Sequence, residues 1–203
     1  MSWKMPAEWV KHERTWLAWP AADYAQEEDA FLAWSEVANT AAEYEPVTVL
    51  VNERHLETAK KYLSKDIELV VCELDDSWIR DSGATFVVNS ETNSLGAIDW
   101  VFNGWGAQSW SQYELDDKVA SFMTKQVNVE IIKSDLVNEG GGIHTNGAGL
   151  LLATETVQLG SERNPDWSRS EVEAELNSKL GTDKVIWIRR GLTRDYETFG
   201  TKG

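Results

Sequence analysis

The side chains best suited to chemistry gather in two polar stretches. The first is Leu74-Asp75-Asp76-Ser77-Trp78-Ile79-Arg80-Asp81-Ser82-Gly83, set between apolar runs at 67–71 and 84–88 that read as buried strands. The second is Asn138-Glu139-Gly140-Gly141-Gly142, which leads into Ile143-His144-Thr145-Asn146-Gly147. Asp81 and Glu139 are the candidate binding carboxylates. On one face they would hold a cation, with Trp78 and Trp105 flanking it by stacking or cation–π contact. Paired carboxylates suit a planar guanidinium, because each accepts two parallel N–H bonds. Plainer readings compete. Asp, Ser and Gly also make an ordinary solvated hairpin turn, with Gly83 supplying an unusual backbone angle. Glu139 also suits a turn residue that bonds the amides of its own glycine run.

A nucleophile is harder to find. Cys72 with His144, oriented by Asp81, completes the inventory for thiolate catalysis. Yet Cys72 ends the apolar run Leu69-Val70-Val71, and burial without a nearby cation raises a thiol's pKa and leaves it inert. Cys72 therefore reads as structural, and His144 as a satisfied strand histidine. Histidines 12, 55 and 144 show no metal-ligand spacing and no second cysteine exists, so neither a metal site nor a cofactor is expected.

The elements that position these residues alternate. Thr15–Trp19 reads as extended because Pro20 follows it, and apolar positions from Ala30 to Ala41 recur at helical spacing within 26–43. A strand at 47–51, a helix at 53–63 and the strand at 67–71 precede the first polar loop. Strands at 84–88 and 95–102 flank a hairpin connection at 89–94, and Asn103-Gly104-Trp105-Gly106 is a glycine-bracketed loop. A helix at 113–125, strands at 129–132 and 150–153, a helix at 169–180 and a strand at 184–188 complete the order. Helix, strand, polar loop and strand at 53–88 recur at 113–153, and a third unit begins near 169. That repeat argues for an α/β protein of similar blades whose polar loops converge on one face.

Composition narrows the partners. The 203 residues are 42% hydrophobic and 26% charged, as in one globular domain. A formal charge of −15 disfavours nucleic acid and anionic membranes and favours cations. No apolar run reaches the length of a membrane span, and the N-terminus has no signal-peptide core, so a cytoplasmic location is the default. Eleven tryptophans are mostly expected to pack.

Five ordered motifs then point to one family. Met5-Pro6-Ala7-Glu8-Trp9 with His12 and Thr15-Trp16-Leu17-Ala18-Trp19-Pro20 resembles the opening of the agmatine deiminase and bacterial peptidyl-arginine deiminase family. Asp76–Gly83, Phe102-Asn103-Gly104-Trp105-Gly106, Glu139-Gly140-Gly141-Gly142-Ile143-His144 and Ser161-Glu162-Arg163-Asn164-Pro165 resemble its next four motifs, in order. The resemblance implies a pentein fold of five pseudo-symmetric α/β blades and metal-free hydrolysis of a guanidinium through a covalent cysteine intermediate. It implies that Asp81 holds guanidinium nitrogens, Trp78 lines the pocket and Glu139 sits beside the reacting group.

The family's His-x-Asp motif is expected directly after Gly203, and its nucleophilic cysteine further on. Residues 1–203 therefore read as a partial deiminase domain of roughly two and a half blades, inactive and marginally stable alone, with a homo-oligomer of the full-length protein as an option. Agmatine is the expected substrate, and Asp195 or Glu197 are weaker candidates for its distal amine. The alternatives are a peptidyl-arginine deiminase and a non-catalytic module that stacks a flat ligand on Trp78, Trp105 and Trp110.

Overall fold

The structure is a computed structural model that describes residues 3–194. Three small sheets are each built around parallel βαβ crossovers, two in the first sheet and one in each of the others. A two-residue strand, β1 (Trp3–Lys4), is set aside for the second sheet. The first sheet has the order β2-β3-β4, from β2 (Thr15–Ala18), β3 (Val47–Val51) and β4 (Glu68–Val71). Both of its pairings are parallel. Helix α1 (Glu28–Ala42) links β2 to β3, and α2 (Leu56–Tyr62) links β3 to β4. Every residue of β3 is buried, as a strand covered on both faces must be. Phe31, Trp34, Ala38, Ala41 and Tyr62 pack against Val47, Val49 and Val51.

A single helical turn, α3 (Ile79–Ser82), follows and leads to β5 (Thr85–Asn89), β6 (Leu95–Val101), the short turn α4 (Gly104–Ala107), α5 (Val119–Val127) and β7 (Glu130–Val137). The second sheet has the order β1-β5-β6-β7; β5 and β6 form an antiparallel hairpin and β6 and β7 a parallel pair. The third contains β8 (Ile143–Thr145), β9 (Leu150–Thr154) and β10 (Lys184–Ile188), joined through α6 (Glu155–Gln158) and α7 (Arg169–Leu180). Helix α7 starts on a Ser168/Glu171 capping box and ends at Gly181 with φ 63°, a left-handed cap that glycine adopts without strain. Its buried Val172, Leu176 and Leu180 join Trp3, Val87, Ile98, Leu136 and Leu151 in one core.

The repeat therefore has a physical basis, with its frame moved. Each unit is a parallel βαβ pair (β3-α2-β4, β6-α5-β7, β9-α6/α7-β10), and the segments at 53–88 and 113–153 run from the helix of one unit into the first strands of the next. The first polar loop is not a hairpin, because β4 and β5 lie in different sheets. Gly83 is also corrected. Its φ is −77°, open to any residue, and what demands glycine is space: a Cβ would lie 2.4 Å from the Ile79 carbonyl oxygen. Strand β7 runs five residues past the expected 129–132. No helix among the described residues is long and apolar enough to cross a membrane.

Candidate functional site

The two polar loops leave equivalent strands, β4 and β7, and meet. The first is pinned at its base. Asn52 donates from Nδ2 to the Leu74 carbonyl and accepts from its amide at Oδ1, at 3.0 and 2.6 Å. Buried Asp116 accepts the amides of Asp75 (3.0 Å) and Asp76 (3.1 Å), while Asp75 accepts the Leu115 amide at 2.7 Å. Burial, with Asp75 and Asp76 close by, pushes the Asp116 carboxyl up to about 7 against the pull of its two amide bonds. With both ends fixed, the chain closes the turn of α3 and delivers Asp81 at its third position.

Asp81 then bridges two further motifs. Its Oδ2 accepts the Trp105 indole N–H at 3.0 Å, and its Oδ1 accepts the Gly141 amide at 3.0 Å. The glycine run is required by closeness. A Cβ on Gly140 would sit 2.1 Å from the Arg80 carbonyl oxygen, and one on Gly141 would sit 2.4 Å from Asp81 Oδ1. Arg80 also reaches Glu8 in the first motif at 2.9 Å. That pair is exposed and adds little stability.

Trp105 is held by an unusual backbone. Gly104, Trp105, Gly106 and Ala107 all have positive φ, at 65°, 60°, 92° and 53°. The glycines adopt this readily, whereas Trp105 and Ala107 each cost on the order of 1–3 kcal/mol. Asn103 offsets part of this by accepting the Gly106 amide at 2.9 Å and donating to the Glu162 carbonyl at 3.0 Å. The indole lies edge-on to Phe102 and stacks on Trp110 at 5.7 Å.

Glu139 does not bond the amides of its glycine run through its side chain. Its Oε1 instead accepts from Arg163 Nε at 2.7 Å, and the two side chains are 5% and 2% exposed. Glu139 Oε2 is buried without a hydrogen-bond partner among the described residues. Burial holds the Glu139 carboxyl above its ordinary range, Arg163 pulls it down, and Asp81 pushes it up again.

The structure thus brings together Asp81, Trp105 and Glu139. Trp78 is attached to the same loop through its backbone carbonyl, which accepts the Asp81 amide at 2.9 Å, but its half-exposed indole turns to Tyr24 and Trp34. Tyr24 bonds Asp76 at 2.7 Å, and burial first, then that bond, lifts its phenol to about 12. A cleft of about 690 Å³ beside it is lined by Tyr24, Asn52, Asp75, Asp76, Trp110 and Leu115. Trp110, 59% exposed, is the ring that joins this cleft to the carboxylate pair. Cys72 packs with Ala18, Leu50, Leu74, Val119 and Met123, and burial pushes its thiol up to about 11. His144 lies exposed on β8, in another sheet. Asp195 and Glu197 fall outside the described residues.

Arg163 is the residue that sequence reasoning left without a role. The motif containing it was visible, and no local signal showed that its guanidinium is buried.

The described residues thus form a βαβ-built α/β protein whose converging loops bring two carboxylates beside a stacked indole pair. Comparison with known proteins makes the assignment specific: residues 4–201 match the model of the Porphyromonas-type peptidyl-arginine deiminase family, and the chain belongs to that family. It is 48% identical to a Streptomyces coelicolor protein with a provisional agmatine deiminase name, over all of this chain and 61% of that protein. It is 41% identical to the agmatine deiminase of Ectopseudomonas mendocina, over 97% of this chain and 55% of that one. Among solved structures, the agmatine deiminase of Enterococcus faecalis superposes with a TM-score of 0.90 at 28% identity, over 99% of this chain and 56% of that chain. The chain thus spans between 55% and 61% of the length of these relatives.

Proposed function

We propose that the protein hydrolyses agmatine, with water, to N-carbamoylputrescine and ammonia, and that residues 1–203 supply its guanidinium-binding wall on a pentein-type blade assembly. The observation that carries this is the Asp81–Glu139 arrangement. Asp81 keeps one lone pair free on each oxygen beyond the Trp105 and Gly141 bonds, and Glu139 keeps Oε2. Two such carboxylates accept the N–H groups of a guanidinium and hold it cationic, hence electrophilic at carbon. In the resulting mechanism a cysteine thiolate attacks that carbon and a histidine protonates the departing ammonia. Water then releases the ureido product from the amidino-thioether.

Cys72 cannot be that thiolate: it is enclosed in apolar side chains with a raised pKa. The proposed mechanism therefore needs a thiolate other than Cys72, the one cysteine of the 203 residues. The relatives named for agmatine favour it as substrate, and the family description keeps peptidyl-arginine as the second reading.

The test is ammonia and ureido-product formation by the full protein as its gene encodes it, on agmatine and on an arginyl peptide. Turnover of agmatine, abolished in Asp81→Asn, is expected. Turnover of the peptide alone would select the second reading, and ammonia release by residues 1–203 alone, lost in Cys72→Ala, would overturn the assignment of the nucleophile. Saturable binding of a neutral flat ligand, insensitive to Asp81→Asn, would replace both readings with a binding module.

A further inference from the structure

We propose that Arg163 is the positioning residue of the site: its Nε holds Glu139 Oε1, leaves Oε2 as a charged acceptor for the ligand, and the same turn carries the Trp105 support of Asp81. The inference rests on the guanidinium-binding reading above and extends it to a residue that touches no substrate.

Three observations converge on this turn. First, the Arg163–Glu139 pair is almost wholly shielded, at 2% and 5% side-chain exposure and 2.7 Å. A carboxyl so deeply buried without a cation takes up a proton, and the protonated form can present an O–H donor to a ligand that itself offers only donors. Arg163 therefore decides whether Glu139 accepts or repels. Among the described residues, the charged groups acting on Glu139 are Arg163, from the 161–165 turn, and Asp81, from α3, which opposes it.

Second, the left-handed turn that carries Trp105 rests on the same residue. A Cβ at Gly106 would lie 3.2 Å from Arg163 Nη1 and 3.2 Å from Glu162 Cβ, and Asn103 donates to the Glu162 carbonyl at 3.0 Å. Third, neighbouring Asn164 fixes the strand end that delivers Glu139. Its Oδ1 accepts the Val137 amide at 3.0 Å, and its Nδ2 donates to the Val137 and Gln158 carbonyls at 2.9 and 3.0 Å. One turn thus sets Glu139 directly and Asp81 through the Trp105 indole.

The experiment compares Arg163→Gln, Arg163→Lys and Glu139→Gln in the full protein. Agmatine kcat/KM is measured from roughly pH 6 to roughly pH 9, alongside titration of the Glu139 carboxyl by ¹³C NMR, assigned by its loss in Glu139→Gln. Arg163→Gln is expected to lose about 100-fold at neutral pH. Its acid limb should move up by at least about one pH unit, so that the deficit shrinks as Glu139 ionises. Arg163→Lys keeps the charge and should hold the limb near the wild-type position, with a smaller loss.

A deficit equal at every pH, or an unmoved Glu139 titration, would overturn the proposal and leave Arg163 merely structural. Should Arg163→Gln fail to fold, Arg163→Lys carries the same pH test: a limb shifted as far as full charge loss demands would exclude a role for the charge. If the wild-type protein does not turn over agmatine, the substrate reading fails by itself. The Glu139 titration then still decides the coupling: a rise in Arg163→Gln supports it, and no change refutes it.

Discussion

Asp81 and Glu139 both lie in a loop that follows the second strand of a parallel βαβ pair, well beyond β4 in one case and directly after β7 in the other, and they are held in opposite ways. Asp81 is gripped by neutral donors, an indole N–H and a backbone amide, so its full charge remains for a ligand. Glu139 is gripped by a cation inside the protein, so much of its charge is already answered. On the proposed reading, the first arrangement makes a binding group whose loss the fold is expected to tolerate. The second makes a group that the fold also depends on. Corresponding loops of a repeat need not hold their carboxylates by the same energetics.

The largest expected effect tests the structural side of this contrast. Glu139→Gln removes the charge facing a buried guanidinium, and breaking such pairs costs about 3–5 kcal/mol. Thermal unfolding of the full protein should fall by roughly 6–15 °C. Asp81→Asn keeps an oxygen that can accept one of its two N–H donors, so its melting temperature should stay within a few degrees of wild type, a cost of about 1 kcal/mol. Its agmatine affinity should drop about 100-fold, the cost of losing one member of a desolvated charge pair. Equal melting temperatures for the two variants would erase the distinction.

Smaller changes sharpen it. Gly141→Ala would place a Cβ 2.4 Å from Asp81 Oδ1. It should displace the carboxylate and weaken agmatine binding by roughly 10-fold, through lost orientation of a group that is itself intact. Trp105→Phe keeps an aromatic ring against Trp110 and loses only the N–H to Asp81. A bond of that kind is worth about 1 kcal/mol, so isothermal titration should show about a 5-fold weaker Kd. A loss as large as that of Asp81→Asn would mean that the ring itself, rather than its hydrogen bond, meets the ligand.

Much of this was legible before any coordinates. The β-branched run Val47–Val51 after Pro46, the amphipathic stretch of α1 and the helix at 169–180 announce themselves locally, and the structure places all three within two residues of the expected bounds. The convergence of the two polar loops followed from the repeat. What stayed hidden depended on contacts distant in sequence. Arg163 sits in a Ser-Glu-Arg-Asn-Pro run that looks solvent-facing, and its partner lies 24 residues away. The end of β7 is masked by Ser134 and Asp135, because Ser134 turns inward to bond Glu175 at 2.7 Å. Gly104 and Gly106 bracket a turn whose positive φ Trp105 and Ala107 share, and no residue type at those two positions announces it.

Asp116 extends the comparison to a third buried carboxylate, one that anchors the Asp81 loop through backbone amides and pairs with no cation among the described residues. Its folded pKa, about 7, lies above its ordinary value of 3.8. The folded state therefore binds this proton more tightly than the unfolded chain does. The resulting stability is fully present below the ordinary value, is lost as pH rises between the two values, and is gone above the folded one. Over that window the slope attributable to Asp116 approaches about −1.4 kcal/mol per pH unit. His12, whose pKa is raised by its bond to Glu45, and His55, whose pKa burial lowers, add pH dependences of their own. Neither contacts the Asp116 carboxylate, so both contributions cancel when a variant is compared with wild type. Asp116→Asn accepts only one of the two amides, so it should be less stable than wild type at about pH 4. The gap should close as pH rises toward 7, where wild type suffers the repulsion from Asp75 and Asp76 that the amide lacks. Chemical denaturation of both proteins across that range measures the difference directly. Parallel curves would show that Asp116 is ionised throughout, and that its two amide bonds outweigh the desolvation that burial imposes.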